Sequence, residues 1–249
     1  MLCLPNGAIG LGTPLALATR VVSGLVDAGI LDVVIARLDI GAEAADASAA
    51  LLSCEERERA CRFAGDLERR RFMVARARLR QLLGVRLGVA PEALELEYAV
   101  GGKPRLHPRF GGDLRFNVSH YQDVAAFAFA NGREVGIDIE GVRNLAEADA
   151  IAALAFSPRE HRTYLALDPE QKPLGFFNCW TRKEAFVKAI GEGLRHPLHH
   201  FDVSLVPDEP ARLERVDSTP GDSCGWVLQA FTPSAQLVGA VVVAEDADG

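Results

Sequence analysis

The sequence predicts an α+β fold, in which helices and β-strands occur in separate stretches of the chain. Three observations support this class. Several runs rich in β-branched residues have the length of strands, other segments have apolar residues at helical spacing, and the order of these elements is similar on both sides of about residue 140. The repeated order indicates two like halves, which we place at residues 1–140 and 141–249.

Composition and charge narrow the classes of function. Of the 249 residues, 49% are hydrophobic and 24% are charged, and the formal net charge is −7. A chain this acidic is not expected to bind nucleic acids or membrane surfaces through general charge attraction. The cysteines are scattered and include no Cys-x-x-Cys pair, which predicts reduced thiols, no structural zinc and a cytoplasmic location. They are Cys3, Cys54, Cys61, Cys179 and Cys224.

The first 29 residues are the least informative segment. They are mainly apolar, but they contain no Lys or Arg before Arg20, and Gly, Pro and Thr interrupt the apolar run. A secretory signal begins with positive charge, and a membrane-spanning helix needs about 20 consecutive apolar residues. Neither is therefore predicted, and we expect residues 1–29 to be either a poorly ordered leader or an over-extended start.

The following segment predicts one strand and then helices. Residues 31–40 are rich in β-branched side chains and are typical of a strand, whereas residues 41–50 fit a loop or a short helix. Ser53 has the position of an N-cap, with two glutamates in the first turn after it. Apolar residues then recur at helical spacing as far as Leu83, as one long helix or two shorter ones.

This helical segment is basic within an acidic chain. Between Glu55 and Arg86 there are ten arginines and five acids. One interpretation is a solvated helix surface. The other is an anion site, because guanidinium groups match phosphate oxygens two at a time. Three consecutive arginines, Arg69 to Arg71, form the densest part of the segment.

Short strands are predicted in the middle of the chain, at residues 94–100, 114–118 and 124–130. The dipeptide Asn131-Gly132 after the last of them is typical of a two-residue hairpin. It would lead directly into a further strand at residues 133–140. The sequence therefore predicts that these last two strands pair in one sheet.

Two short polar blocks adjoin these strands. Ser119 and His120 end the 114–118 strand, so the predicted hairpin would place them beside the 133–140 strand in one sheet. The second block, Gly-Gly-Lys-Pro at 101–104, predicts a turn in which the proline holds Lys103 in an extended conformation with its side chain directed outward. The chain has only four lysines, Lys103, Lys172, Lys183 and Lys188.

The second half begins with a clear helix start. Residues 157–160, Ser-Pro-Arg-Glu, have Ser at the N-cap, Pro at the first helical position and Glu two positions later. The strongest predicted helix covers residues 176–190 and ends at Gly191. Four strands then predict a meander, followed by an acidic tail at 245–249. The strands are at residues 201–206, 211–216, 225–231 and 237–244.

Three carboxylates carry the main functional hypothesis. Residues 135–140 alternate with period two, so Asp138 and Glu140 project from the same face of the strand. Glu184 lies at the margin of the apolar stripe of the 176–190 helix, where a carboxylate is costly without compensation. Three oxygen ligands suit Mg²⁺, which also binds substrate phosphates. The alternatives are a solvated strand face and an ordinary surface pair between Glu184 and Lys188, four residues apart.

Three blocks of the sequence resemble the signature blocks of the 4′-phosphopantetheinyl transferases. They are Phe-Asn-Val-Ser-His at 116–120, Val-Gly-Ile-Asp-Ile-Glu at 135–140 and Trp-Thr-Arg-Lys-Glu-Ala-Phe-Val-Lys-Ala at 180–189. The resemblance extends from about Ser53 to Phe201 and includes Gly-Lys-Pro at 102–104. In length and spacing the chain is similar to the monomeric, two-halved type that serves polyketide and non-ribosomal peptide synthases.

The resemblance implies two pseudo-symmetric halves with coenzyme A and a metal site in the cleft between them. It also implies transfer of the 4′-phosphopantetheine arm of coenzyme A to a serine of an apo acyl or peptidyl carrier protein, with release of 3′,5′-ADP. Coenzyme A would be a substrate, and the metal would be Mg²⁺, with Mn²⁺ as an alternative.

The resemblance also implies roles for individual residues. Asp138, Glu140 and Glu184 would hold the metal. Lys188 would bind a phosphate oxygen of the transferred group, and Glu184 is the candidate base for the serine proton. Coenzyme A would be contacted by Arg59, Arg71, Lys103, Ser119, His120 and Lys188. The chain departs from the family at Glu56, where a lysine that contacts coenzyme A would be expected.

Two other functions remain as alternatives. A metal-dependent phosphohydrolase could use the same three carboxylates on coenzyme A or a nucleotide, without a carrier protein. A non-catalytic module that binds carrier proteins would need neither the metal nor coenzyme A. For the transferase we expect a cytoplasmic monomer that does not act on nucleic acids or membranes.

Overall fold

The computed structural model describes residues 19–21, 31–98, 102–110, 112–193, 196–216 and 225–245, with the backbone alone at 19–21. The helices are α1 Ala42–Ala49, α2 Cys54–Cys61, α3 Asp66–Leu87, α4 Ala148–Ala155, α5 Pro158–Leu165 and α6 Lys172–Ile190. The strands of the first half are β1 Thr19–Val21, β2 Leu31–Arg37, β3 Leu96–Tyr98, β4 Pro104–Leu106, β5 Leu114–Tyr121 and β6 Val124–Asn131. Those that follow are β7 Val135–Gly141, β8 Phe201–Val203, β9 Leu213–Val216, β10 Trp226–Ser234 and β11 Leu237–Ala244.

The strands form two similar antiparallel sheets, as the predicted α+β fold with two like halves requires. The first sheet has the order β1-β2-β6-β5 and the second has the order β10-β11-β7. In both, an early strand of the half (β2 or β7) pairs with its last strand (β6 or β11), which pairs in turn with the strand before it (β5 or β10). Two small sheets, β3-β4 and β8-β9, lie outside this pattern.

Pairing assigns strand β7 to the second half. The predicted hairpin at Asn131-Gly132 is wrong, because β6 pairs with β2 and β5, whereas β7 pairs with β11. Gly132 has φ +69°, a left-handed conformation that favours glycine, and here it turns the chain from one sheet into the other. This pairing favours a boundary at the short connection at 132–134, and the division at residue 140 stays a prediction.

The two sheets meet through side chains of β5 and not through a shared ladder. The amide of Ile137 on β7 donates to Asn117 Oδ1 at 2.9 Å, and the amide of Ile139 donates to Ser119 Oγ at 3.3 Å. Ser119 and His120 are thus on a strand next to the 133–140 strand as predicted, but the two strands lie in two sheets and not in one.

Each half has its own hydrophobic core, and a third core lies between the sheets. Helix α3 packs on the first sheet through residues such as Val74, Leu79 and Leu83, and α6 packs on the second through residues such as Phe177 and Phe186. The apolar face of β7 joins that of β2 and β6 in the core between the sheets. Because both of its faces are buried, β7 is held firmly at the centre of the molecule.

In the first half, a buried cation of α3 binds the glutamate of the capping box at the start of α2, an arrangement that we call a lock. Ser53 caps α2, and its amide donates back to the Glu56 carboxylate at 2.9 Å, forming a capping box. Arg80 of α3, 1% exposed, donates to the same carboxylate at 2.6 Å. It also donates to the carbonyl oxygens of Pro91 and Leu94. Glu56, where the family resemblance predicts a lysine, therefore has a structural role in this chain.

The second half repeats this lock. Ser157 and Glu160 form the capping box of α5, and Lys183 of α6 lies 2.8 Å from the Glu160 carboxylate. The Lys183 amine, fully buried, donates to the carbonyl oxygens of Leu198 and Phe201 at 2.6 Å each. The acid and the cation are 24 residues apart in the first half and 23 in the second. The shared arrangement is independent support for two halves of common design.

Other predicted elements need smaller corrections. The long helix of the second half begins at Lys172, four residues before its predicted start, and β5 continues through Ser119 and His120 instead of ending before them. The predicted four-strand meander is wrong, because β8 and β9 form a separate sheet and β11 pairs with β7. The segment between Ser53 and Leu83 is two helices, α2 and α3.

Some predictions concern residues outside the described part of the chain. They are most of the 1–29 leader, residue 101 of the predicted turn, and the tail from residue 246. Within the leader, Thr19–Val21 is described and pairs with β2. Cys3 and Cys224 lie outside it too, and the three described cysteines are free thiols. Among the described helices, none has the length and apolar character needed to cross a membrane.

Candidate active site

The candidate site lies where β7 crosses α6. Gly136 makes this crossing possible, because a Cβ atom at this position would be 2.9 Å from Ala189 Cα and closer still to Ala185 O and Ala189 N. Only a residue without a side chain allows the strand to approach the helix backbone so closely. Asp138 and Glu140 follow Gly136 on the same face of β7, and Glu184 and Lys188 lie on α6.

Asp138 and Lys188 form the centre of the site. The Lys188 amine lies 2.6 Å from Asp138 Oδ1, and the Ser119 hydroxyl donates to the same oxygen at 2.8 Å. The amine is also 3.3 Å from both Ser119 Oγ and the carbonyl oxygen of Ile137. Asp138 is buried and Lys188 is about one-third exposed, so the pair lies at the edge of solvent. The direct ion pair of Lys188 is thus with Asp138, and it is not the ordinary i, i+4 surface pair with Glu184.

Glu140 interacts with a cation that the sequence analysis missed. Arg143 lies 3.1 Å from Glu140 Oε2 and donates to the carbonyl oxygen of Gly141 at 2.8 Å. Its guanidinium also covers the rings of Phe177 and Tyr121 at 4.6 and 5.3 Å. The only sequence signal was an arginine three residues after the acid that ends the predicted 133–140 strand.

Glu184 is half-buried beside the other two carboxylates. Burial raises its pKa, the negative charges of Asp138 and Glu140 raise it further, and Lys188 lowers it. The three acids are therefore close enough to repel one another, as a site for a divalent cation requires. Within the described ranges they do not converge into a ready-made cluster of three metal-binding side chains, because Lys188 and Arg143 hold two of them.

His120 lies on β5 near this centre and is neutral at neutral pH. Burial lowers its pKa, and the positive charges of Lys188 and Arg76 lower it further, while Asp138 acts in the opposite direction. Arg76 is the second residue that the sequence analysis missed. Its only signal was its position in the basic 55–86 segment, which did not distinguish it from nine other arginines.

The predicted arginines lie further along the same half. Arg59 and Arg76 both lie within 6 Å of the ring centres of Phe72 and Tyr98, so two guanidinium groups share two aromatic rings. Arg71 instead forms a bidentate salt bridge with Asp39, in which two guanidinium nitrogens lie 2.9 and 3.0 Å from the two carboxylate oxygens. Because other arginines serve structural pairs, such as that of Arg80, the basic segment is only partly available for an anion.

Lys103 is the least exposed of the predicted Lys and Arg contacts of coenzyme A, with 8% of its side chain accessible. Its amine lies 3.1 Å from Glu134, 3.0 Å from the carbonyl oxygen of Val135 and 3.3 Å from that of Ala189. Burial lowers the pKa of Lys103, and the charge of Glu134 opposes this effect. The prediction of outward projection is wrong for this side chain, and its contact with coenzyme A stays a prediction.

Two family models match the chain, one in each half. The 4′-phosphopantetheinyl transferase superfamily model matches residues 134–242, and the model of the N-terminal domain of 4′-phosphopantetheinyl transferase matches residues 42–131. The gap between the two matches falls at the 132–134 connection, where the strand pairing also divides the molecule.

Relatives agree with the family models. The chain is 40% identical over 197 residues to 4′-phosphopantetheinyl transferase HetI of Nostoc sp. strain PCC 7120, covering 79% of this chain and 80% of the relative. It is 29% identical to 4′-phosphopantetheinyl transferase Sfp of Bacillus subtilis strain 168, covering 67% and 72%. The crystal structure of the holo-[acyl-carrier-protein] synthase of Thermotoga maritima matches 45% of this chain and 62% of that one, at 24% identity and a TM-score of 0.34, which is too low to support an argument.

These matches decide between the functions predicted from the sequence. The transferase is supported by both halves of the chain and by its relatives, whereas the alternative of a phosphohydrolase has no support among them. The chain belongs to the 4′-phosphopantetheinyl transferase superfamily, and it is an enzyme that transfers phosphopantetheine from coenzyme A to carrier proteins.

Proposed function

We propose that the crossing of β7 and α6 is the transfer site, and that the reaction there depends on Mg²⁺. The acceptor is a serine of an apo acyl or peptidyl carrier protein, and the second product is 3′,5′-ADP. The single observation that carries this proposal is the buried Asp138, which is bound by Ser119 and Lys188 while Glu184 lies close enough for their charges to interact.

Asp138, Glu140 and Glu184 are the proposed ligands of Mg²⁺, with Mn²⁺ as an alternative. Burial raises the pKa of Glu184 most, and repulsion by Asp138 and Glu140 raises it further; this repulsion is the feature that fits a divalent cation. When bound, the metal would neutralise charge on the diphosphate of coenzyme A. Its binding requires Lys188 and Arg143 to leave their carboxylates, and both side chains are exposed enough to move.

Lys188, once released from Asp138, is placed to bind an oxygen of the transferred phosphoryl group. Transfer of this kind depends on positioning and charge neutralisation more than on covalent help. Glu184 is the proposed base for the serine proton, because its half-buried carboxylate lies beside Asp138 at the centre of the site. The proton then resides on Glu184 until the product leaves.

The remaining predicted residues form the proposed coenzyme A site. His120 is neutral in the free protein, so it would offer the 3′-phosphate an N–H donor and would gain a proton as the phosphate approaches. Ser119 is proposed to contact the pantetheine side of the diphosphate. Arg59 and Arg71 are proposed to contact the nucleotide phosphates, for which Arg71 must leave Asp39. A direct contact from Lys103 would require its three present bonds to break.

The proposed partners are carrier domains of polyketide, non-ribosomal peptide or fatty acid synthesis. The relatives named above are transferases of this family, and their similarity to the chain supports this proposal. We propose that the enzyme acts as a cytoplasmic monomer, and that nucleic acids and membranes are not among its partners. The net charge of −7 is consistent with this restriction.

Mass spectrometry of apo carrier proteins tests the proposal directly. Purified enzyme, coenzyme A and Mg²⁺ should add the mass of phosphopantetheine to a carrier serine, and a chelator should stop the reaction. Asp138→Asn and Glu184→Gln should each abolish transfer while the protein stays folded. Glu170→Gln is a matched control, because Glu170 is exposed on the loop before α6. Full activity in either site variant would refute the site assignment.

A further inference from the structure

One edge of β7 is completed by side chains where a neighbouring strand would otherwise lie. β7 is an edge strand that pairs with β11 alone, so backbone groups at Val135, Ile137 and Ile139 face away from its sheet. In a buried location, the unpaired backbone N–H and C=O groups of a strand edge must find hydrogen-bond partners or be covered. Here the donors and acceptors come from side chains of three other segments.

The order of these bonds along the edge is regular. Lys103 donates to the carbonyl oxygen of Val135, and Asn117 accepts from the amide of Ile137. Lys188 donates to the carbonyl oxygen of Ile137, and Ser119 accepts from the amide of Ile139. Three of these four side chains belong to β5 or α6, which also form the site. Lys103 is the exception, because it comes from the short segment just before β4.

Lys103 also binds the end of α6. The last carbonyl groups of a helix have no partner within the helix, and a cation there is favoured by the helix dipole. The amine of Lys103 lies 3.3 Å from the carbonyl oxygen of Ala189, which is next to Lys188 and in the last turn of α6. One buried amine therefore joins the strand that bears Asp138 and Glu140 to the helix that bears Glu184.

We propose that Lys103 is a positioning residue, which sets the distance between β7 and α6 and thereby the arrangement of the three carboxylates. This inference rests on the proposed transfer site. It gives Lys103 a role that acts through Asp138 and Glu184 and does not require contact with coenzyme A. Its three amine hydrogens match three protein oxygens, two of which are backbone carbonyls that cannot move independently of the elements they belong to.

The test uses substitutions that keep different parts of this arrangement. Lys103→Met removes all three bonds, Lys103→Gln keeps a shorter neutral donor, and Lys103→Arg keeps the charge. Arg115→Met is the matched control, because Arg115 binds the other oxygen of Glu134 at 3.2 Å but neither backbone carbonyl. This control separates the effect of removing a positive charge beside Glu134 from the effect of losing the link between β7 and α6.

Steady-state kinetics with an apo carrier protein give the first measurement. We expect Lys103→Met and Lys103→Gln to lower kcat by about 10- to 100-fold, as for a misplacement of about 1 Å, with the KM for coenzyme A within about twofold of the original. Lys103→Arg should recover part of kcat, and Arg115→Met should match the original protein. A rise of tenfold or more in the KM for coenzyme A with kcat unchanged would overturn the proposal in favour of direct contact.

Mg²⁺ binding to the substrate-free protein gives a second measurement that does not depend on activity. Calorimetric titration should show weaker Mg²⁺ binding in Lys103→Gln than in Arg115→Met, and equal binding in the two variants would overturn the proposal. If Lys103→Met does not fold, Lys103→Gln and Lys103→Arg decide the question. If the original protein modifies no carrier protein but Lys103→Gln still binds Mg²⁺ more weakly, the proposed function fails and the positioning role stands.

Discussion

Replacing Gly136 by alanine is the most direct test of the close approach between β7 and α6. The added Cβ atom would lie 2.9 Å from Ala189 Cα, well inside the 3.4 Å at which ordinary contacts begin, and closer still to Ala185 O and Ala189 N. All three atoms are helix backbone, so none can rotate away. The helix and the strand must separate by about 1 Å, a misplacement that costs on the order of 10²-fold in rate.

The same separation should also destabilise the protein, because overpacking of a dense interior costs about 1–3 kcal/mol. Transfer to an apo carrier protein, followed by mass spectrometry, should show the loss of kcat/KM, and urea unfolding should show the loss of stability. Gly41→Ala is the matched control, since Gly41 has φ −50° and no atom within 4 Å of its Cβ position. Original activity and stability in Gly136→Ala would refute the argument that this crossing sets the site.

Three further predictions follow from buried or clustered charges. Lys183→Met leaves the Glu160 carboxylate buried without its cation, so the free energy of unfolding in urea should fall by about 3–5 kcal/mol. An unchanged midpoint of urea unfolding would contradict a stabilising role for this ion pair. Glu184→Gln removes a carboxylate that is repelled by its neighbours, so the metal-free protein should melt at a higher temperature, although it loses transfer activity. A lower melting temperature would contradict this argument. The lowered pKa of His120 means that the unfolded chain binds its proton more readily, so stability should fall as pH decreases from 6.5 towards the folded pKa. Unfolding free energies measured across this range should fall less in His120→Gln, and equal slopes would argue against the shift.

Local signals in the sequence predicted local structure well. The capping boxes at Ser53 and Ser157 start helices as expected, and the glycine at residue 191 ends α6 in a left-handed conformation. Period-two alternation also identified the face of β7 that bears Asp138. These features depend on residues within about one helical turn or strand of each other, which is the range over which propensity and patterning act.

Pairing between distant segments was not predictable in the same way. Asn131-Gly132 permits a tight turn, but the same left-handed glycine allows the chain to cross into a second sheet, and only contacts with β11 decide between them. Similarly, the sequence showed that Lys188 follows Glu184 by one turn, but not that its amine binds Asp138 fifty residues away. Partner choice depends on packing over long sequence separations, which no local pattern encodes.

The two locks show why the proposed site includes α6 and not α3, although the two halves share one design. Arg80 and Lys183 occupy equivalent places on α3 and α6, each bound to the glutamate of a capping box. The positions one and five residues after Lys183 bear Glu184 and Lys188. The same steps after Arg80 lead to Gln81 and Val85, and Val85 is 78% exposed. The lock serves stability in both halves, whereas of the two helices only α6 bears the glutamate and lysine of the proposed transfer site.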